Sequence, residues 1–537
     1  MHLALLQKVA YFTMEMAIDQ SFHTYSGGLG FLSGSHMLSA GNLGLPMVGV
    51  SILWKQGYGD QYIDENNEIQ IKYVDRSYDF LVDTGVTVDV SIYGERVKVK
   101  PFLLEPKTFG TCPCYFLTTD LPENPQHVRD YSNKLYDADE RIRVAQEVIL
   151  GVGGVRALSA LSVKYDTVHM NEGHALPAAF ELLRMYGNNY DLVRSKLVFT
   201  THTPVPAGNE IHPVDLLLEA GFFVNTHRDE ACRLGGDHFS LTVAALRLSR
   251  LANGVSQLHG EVAADMWKWV QGRCNIHAVT NATNLKYWQD PRIAQAKTAD
   301  ELLSAKKVMR KEFIEFVNQE AGTSLDPDVF TIVWARRFTA YKRADLIFKD
   351  MARIKRLLDS KKLQIVFAGK FHPKDTWGRD TFNHVIALSK TMKGVAILPG
   401  YELELSGRMK RGADLWLNTP QRPLEASGTS GMSANFNGTL HMSTDDGWAV
   451  EGTFDEYNGF IINPEGTSGN ASDAELHQRD YESMMTIIED RVLPTYYDHP
   501  QRWAELMQRA IQFASLYFDS DRMAIEYYTF LYQPAAL

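Results

Sequence analysis

Cysteine is scarce, with four in 537 residues. Cys112 and Cys114 sit two apart, Cys232 and Cys274 stand alone, and no second close pair completes a zinc site. That pattern excludes a disulfide framework and fits free thiols in a reducing compartment. Long apolar runs are also missing. No stretch approaches about 18 uninterrupted apolar residues, so no membrane-spanning helix is expected. The opening MHLALLQKVAYFTMEM lacks the basic, apolar and small-residue order of a secretory leader. Basic charge is in deficit: 54 Lys and Arg against 65 Asp and Glu leave a net charge of −11. A nucleic acid or an anionic membrane surface is therefore not the expected partner, although a local basic pocket for a phosphorylated small molecule is compatible with that balance. Short-period repeats and low-complexity tracts are absent. The expectation is a cytoplasmic protein.

What is present is the composition of a globular chain, 45% hydrophobic and 22% charged, and long enough for two or more cores. Strand-length apolar runs such as VAYFTMEM, LPMVGVSILW, YDTVHM and KLVFTTHTP recur as VFTIVWARR, LQIVFAGK, GVAILPG and ADLWLNTP. Segments of helical period separate them, among them DERIRVAQEVILGVGGVRALSAL and RADLIFKDMARIKRLLDS. This alternation predicts parallel sheets with helices on both faces. Two such sets meet near residue 290. The expected fold is α/β, with two doubly wound, Rossmann-like domains at residues 1–288 and 289–480. The amphipathic tail, residues 481–537, is expected to pack back across them as helices. In such sheets ligands bind beyond the carboxyl ends of the strands, so the loops after the strands are where chemistry is sought.

Those loops are conspicuous. In TYSGGLGFLSG, Gly27, Gly28 and Gly30 precede a helical stretch, which suits either an anion cradle of backbone amides or a tight turn. The spacing is not that of the dinucleotide fingerprint. In WARRFTAYKRADLIF, Arg337 and Lys342 straddle a strand end and a helix start, a pairing that clamps phosphate. In PLEASGTSGM, Glu425 offers an acceptor for hydroxyls, and the Ser427, Gly428 and Thr429 amides face an anion or cap a helix. HMNEGHALPAAF carries His169, Asn171, Glu172 and His174, without the H-E-x-x-H spacing of a metal site, so no metal is expected. VFTTHTPVPAGNE places His202 at a strand end.

Taken with RIRVAQEVILGVGGVRAL, LHGEVAADMW and IVFAGKFHPKD, these stretches resemble the α-glucan (glycogen/maltodextrin) phosphorylase family, most closely its short bacterial and archaeal form. They fall in the family's order from about residue 10 to residue 460. The resemblance implies a glycosyltransferase of GT-B architecture, with the active site in a cleft between two domains. It implies that Arg337 and Lys342 hold substrate phosphate and that His202 bonds the sugar near its 6-hydroxyl. It further implies that Glu425, Ser427 and Gly428 bind the 3- and 4-hydroxyls. Asn171 and Glu172 lie in the acidic loop near the donor, and Gly28 in the loop over the phosphate. The family also carries pyridoxal phosphate as an imine on a lysine of SGMK.

Here that motif reads SGMS, and the last lysine of the chain is Lys410. Ser433 cannot form the imine, so a covalent cofactor is not expected. Asp137-Ala138 in LYDADER and the stretch TNATNLKYW depart from the family pattern as well. The leading expectation is a retaining hexosyltransferase that takes a glucosyl-type sugar from a nucleotide diphosphate sugar, whose two phosphates would fill both anion positions, to a glucan or other sugar acceptor. One alternative is α-1,4-glucan phosphorolysis releasing glucose 1-phosphate, with non-covalent cofactor or with the lysine removed by engineering. Another is an inactive sugar-binding homologue. A homo-oligomer stays among the partners to be considered.

Overall fold

A computed structural model of the chain describes residues 6–205, 208–464 and 472–533. It divides into two compact units: Met1–Gly59, Tyr73–Asn284 and Ser520–Leu537 form unit 1, and Asp60–Lys72 with Leu285–Asp519 form unit 2. Both are mixed α/β structures built on parallel sheets. No helix among the described residues is long and apolar enough to cross a membrane. Pro206 and Ala207, in the loop after KLVFTTHTP, lie outside the described residues.

The unit 1 sheet contains β1 (Val9–Phe12), β2 (Met47–Ile52), β3 (Cys114–Thr118), β4 (Thr167–Asn171), β5 (Leu197–Thr200), β6 (Leu251–Gly254) and β7 (Asn275–Ala278). These run parallel in the order β7-β6-β5-β4-β1-β2-β3. Beyond β3 the antiparallel strand Glu95–Leu104 is paired by Val82–Asp83 and Val88–Ile92. β1, β4 and β5 are buried along their whole length. That is why they read as unbroken apolar runs with no polar alternation. The chain builds outward from β1 through β2 and β3, then returns to place β4 on the other side. Its direction of growth therefore reverses between β1 and β4.

The unit 2 sheet contains β8 (Thr331–Ala335), β9 (Gln364–Ala368), β10 (Val395–Leu398), β11 (Leu415–Asn418), β12 (Leu440–Thr444) and β13 (Gly459–Ile462). All six are parallel, in the order β10-β9-β8-β11-β12-β13. Counted along the chain this is 3-2-1-4-5-6, and the reversal falls between β8 and β11. The long helix Ala299–Ala321 starts at a capping box of Thr298 and Glu301 and stops at Gly322, whose φ of +63° suits a residue without Cβ.

Two groupings follow contacts in space and not the order of the chain. The hairpin Asp60–Ile63 and Ile69–Lys72 belongs with unit 2. There Gln61 Nε2 donates to Phe371 O at 2.8 Å, and Ile69 N donates to Asn383 Oδ1 at 2.9 Å. The carboxyl-terminal helices divide: Asp473–Ile487 and Pro500–Tyr517 lie in unit 2, and Ser520–Glu526 in unit 1.

Candidate functional site

In unit 2 the residues that follow β8 and β11 meet where the strand order reverses. Arg336 comes directly after β8, and Glu425 lies in the loop after β11. Glu425 is buried, and its Oε2 accepts from Lys342 Nζ at 2.5 Å and lies 3.3 Å from an Arg336 guanidinium nitrogen. Burial pushes the Glu425 carboxyl up, but Lys342 and Arg336 outweigh it and hold it below its ordinary value. Burial, with the Arg336 charge beside it, brings the Lys342 ammonium down to about 8. Arg337 is exposed, yet its charge still reaches Glu425.

The loop is braced by groups that the sequence reading did not single out. Asp446 accepts from Glu425 N and from Gly447 N, both at 2.9 Å, and burial raises its carboxyl to about 7. Thr419 Oγ1 donates toward Lys342 O at 2.9 Å, and the Trp334 indole donates to Thr419 Oγ1 at 3.2 Å. Arg343 is fixed by Thr419 O, Pro420 O and Asp480. Gly428 has φ +76°, a conformation side-chain-bearing residues avoid, although a Cβ there would meet Arg336 and Glu425 only in ordinary contact, at 3.4 Å. Ser427 Oγ, Asn418 Oδ1 and Arg336 Nε are buried polar atoms with no hydrogen-bond partner among the described residues. Such groups call for a ligand or water.

Thr429 leads into the short helix Ser430–Asn435 without a side-chain cap bond. Ser433, on that helix, is fully buried. Its hydroxyl donates back to Thr429 O and Ser430 O at 3.2 Å. Among the described residues, three further buried amines lie elsewhere in unit 2, one of them Lys370, whose Nζ pairs with Glu402 at 3.0 Å. Lys306 Nζ is held by Arg411 O, Asn437 O and Thr439 Oγ1, and Lys410 Nζ sits 3.4 Å over the Trp288 ring.

In unit 1 the corresponding reversal brings together the ends of β1 and β4. Asn171 Nδ2 donates to Thr13 Oγ1 at 3.1 Å, and Asn171 Oδ1 accepts from His202 Nε2 at 2.8 Å. Burial, with His259 and His174 adding to it, lowers His202 to about 3, so the ring is neutral. Glu172 takes φ +75°, a strained conformation for a residue with Cβ. Its carboxylate accepts from His202 N, Thr203 Oγ1 and Gly173 N, and burial raises it to about 6. His169 is a core residue, bonded to Tyr532 OH at 2.6 Å and Thr200 Oγ1 at 2.7 Å.

The glycine loop is organised by Glu15, two residues beyond Thr13 and unnoticed in the sequence. Glu15 accepts from Ser26 N at 2.6 Å, Gly27 N at 3.1 Å and Tyr136 OH at 2.9 Å. Those two loop amides are thus already satisfied by a side chain of the protein. Around Gly28 there is open space where a Cβ would go, whereas a Cβ on Gly34 would lie 1.8 Å from Ala17 O. Gly28→Ala is expected to change stability by less than about 0.5 kcal/mol. Gly34→Ala is expected to destabilise by about 3 kcal/mol. Thermal unfolding of the two variants checks this, and a Gly28→Ala variant that keeps its fold and its full activity would remove Gly28 from the site.

Comparison with known proteins places the chain in a family. A model of the carbohydrate phosphorylase family matches residues 239–461. The maltodextrin phosphorylase of Thermococcus litoralis is 32% identical, over 98% of this chain and 71% of that protein. The glycogen phosphorylase of Aquifex aeolicus is 30% identical, over 97% of this chain and 85% of that protein. An uncharacterised protein of Methanocaldococcus jannaschii is 44% identical, over 98% of this chain and its own full length. These matches define a glycosyltransferase-type enzyme. The chain belongs to the carbohydrate phosphorylase family, in the group of the α-glucan (glycogen and maltodextrin) phosphorylases.

Proposed function

We propose that the protein moves a glucosyl unit between an α-1,4-glucan and inorganic phosphate, releasing glucose 1-phosphate with retention at the anomeric carbon. One observation carries this reading: Arg336 and Lys342, with Arg337 nearby, converge on a single carboxylate, Glu425, at the strand-order reversal of unit 2. The surplus of buried positive charge is what a phosphate dianion neutralises. The glycogen and maltodextrin phosphorylase names of the relatives support phosphate over a nucleotide diphosphate sugar as the charged substrate. The strand orders support doubly wound domains of GT-B type.

In this mechanism phosphate takes Lys342 from Glu425, which frees the carboxylate to accept from the sugar's hydroxyls beside Ser427 and Gly428. The bond from C1 to the glucan oxygen breaks, a phosphate oxygen bonds C1 on the same face, and the phosphate proton passes to the departing oxygen. Fixed charges stabilise the oxocarbenium-like state, so no protein nucleophile is needed. In unit 1, His202, neutral and held by Asn171, and Glu172 are groups of the kind that hydrogen-bond sugar hydroxyls.

An imine to pyridoxal phosphate does not fit residue 433. Serine has no amine, its hydroxyl is committed to helix carbonyls, and no lysine follows Lys410. No step is assigned to that cofactor.

The test is phosphate-dependent glucose 1-phosphate release from maltodextrin, with and without added pyridoxal phosphate. Parallel arms offer UDP-glucose and ADP-glucose. Glucan extension from a nucleotide sugar without phosphorolysis would replace this reading by the nucleotide-sugar one, and silence in every arm would leave a sugar-binding protein. The free enzyme's kcat/KM for phosphate is expected to fall as pH rises through about 8, because deprotonating Lys342 removes a clamping charge. A profile flat to pH 9.5 (roughly one and a half units above that value) would detach Lys342 from phosphate binding.

A further inference from the structure

Unit 1 holds a second cluster of ionisable groups that the proposed transfer chemistry does not use. Glu147 lies near the end of the helix Glu140–Val148, and Glu210 and His212 lie at the start of the strand Ile211–Pro213. One ligand atom from each of Glu147, Glu210 and His212 lies within 4.8 Å of the others. Glu147 is fully buried, and neither of its carboxylate oxygens has a hydrogen-bond partner among the described residues. His212, 5% exposed, points Nδ1 at Glu140 Oε1, 2.8 Å away, and its Nε2 is without a partner. A ring whose Nδ1 hydrogen is given to a carboxylate presents the Nε2 lone pair, and that carboxylate–histidine pairing is how metal-binding imidazoles are oriented.

We propose that Glu147, Glu210 and His212 bind one divalent cation of the zinc class. One imidazole with two carboxylates suits a first-row divalent ion rather than calcium or magnesium. Closing the three ligand atoms onto one ion, to tetrahedral spacings of roughly 3.4 Å, requires movements of about 1 Å.

Arg143 pairs with Glu210, and its charge also reaches Glu147. His174 approaches from the β4 side, with Nε2 3.4 Å from Glu210 Oε2 and Nδ1 unpartnered. Burial holds that ring neutral by lowering it to about 3, and Tyr136 packs beside it. Burial raises the Glu147 carboxyl to about 8, so without an ion it is largely neutral, and a divalent ion would displace its proton. The ion would tie the helix Glu140–Val148 to the distal end of the segment that leaves β5, the segment that carries His202.

The test uses the full-length protein, stripped with EDTA, reloaded with Zn2+ or Mn2+, washed and analysed for metal by mass spectrometry. About one equivalent of Zn2+ per chain is expected in the wild type, and at least a tenfold loss in both Glu147→Gln and His212→Gln. The thermal midpoint of the wild type should rise on adding Zn2+ while that of Glu147→Gln should not. Glu147→Gln keeps the shape and replaces a carboxyl that burial already holds largely neutral, so the metal-free variant should fold, which far-UV circular dichroism verifies. Equal metal content in wild type and variants, or none in the wild type at tens of micromolar Zn2+, would overturn the assignment.

Discussion

Replacing Lys342 by methionine lowers kcat/KM for phosphate-dependent glucan cleavage about 1,000-fold, the effect of deleting one well-placed electrostatic contact to a transition state. The stem of the side chain is retained, so packing changes little, and the loss falls on charge. Two things happen at once. Phosphate loses a buried cation, and Glu425 is left with Arg336 alone, at 3.3 Å. The carboxylate then competes with phosphate for that guanidinium, so the KM for phosphate rises as well as kcat falling. Arg336→Met should cost a similar amount, and Arg337→Met less, because Arg337 is exposed and its field is screened by solvent. Since Lys342 and Arg336 share one partner, their effects will not add, and the double variant should lose less than the product of the two. Initial rates at varied phosphate separate the KM and kcat contributions. A Lys342→Met enzyme within tenfold of wild type would place phosphate elsewhere.

The structure pairs Lys342 with Glu425, both singled out in the sequence, and adds Arg336 where Arg337 was expected, which is a matter of strand parity. Both arginines follow β8, all five residues of which are buried. A strand covered on both faces shows no polar alternation, so nothing in WARRF says which of two adjacent arginines turns inward. The loops themselves were legible because glycine and serine clusters after apolar runs have few other physical uses. Glu15 was hidden for a different reason. It sits inside the apolar stretch FTMEM, and the amides it satisfies, Ser26 and Gly27, are eleven and twelve residues away. Asp446 was indistinguishable from Asp445 beside it. The hairpin of residues 60–72 was grouped by position in the chain, but its polar contacts, to Phe371 and Asn383, are more than 300 residues distant. No local pattern encodes a partner that far along the chain. The cluster of Glu147, Glu210 and His212 likewise comes from separate elements, with no spacing rule to join them.

The reversal of strand order also explains why a position at the opposite end of the unit 2 sheet matters. Asp414 lies one residue before β11, is 1% exposed, and ties together the amino ends of the strands that carry Arg336 and Glu425. Its Oδ1 accepts from the Arg310 guanidinium at 2.8 Å, and its Oδ2 accepts from Thr331 N at 2.9 Å. Its backbone N donates to Thr331 O, and its carbonyl accepts from Leu440 N, so β8, β11 and β12 share this one residue. Asp414→Asn keeps the shape, but the amide turns an N–H toward either Arg310 or Thr331, both donors, and leaves Arg310 buried without its counter-charge. Breaking a buried pair in this way costs about 3–5 kcal/mol. By contrast, Glu404→Gln, which breaks the surface pair with Arg408, should cost no more than about 0.5 kcal/mol. Urea unfolding and amide exchange of peptides covering β8 and β11 measure the difference. At temperatures where Asp414→Asn remains folded, its kcat/KM should stay within about threefold of wild type, because no charge in the candidate phosphate site has changed. Lys342→Met should show the reverse, large in rate and small in stability. If both variants lost rate and stability together, the carboxyl-end charges would be part of the scaffold and not a site held open by it.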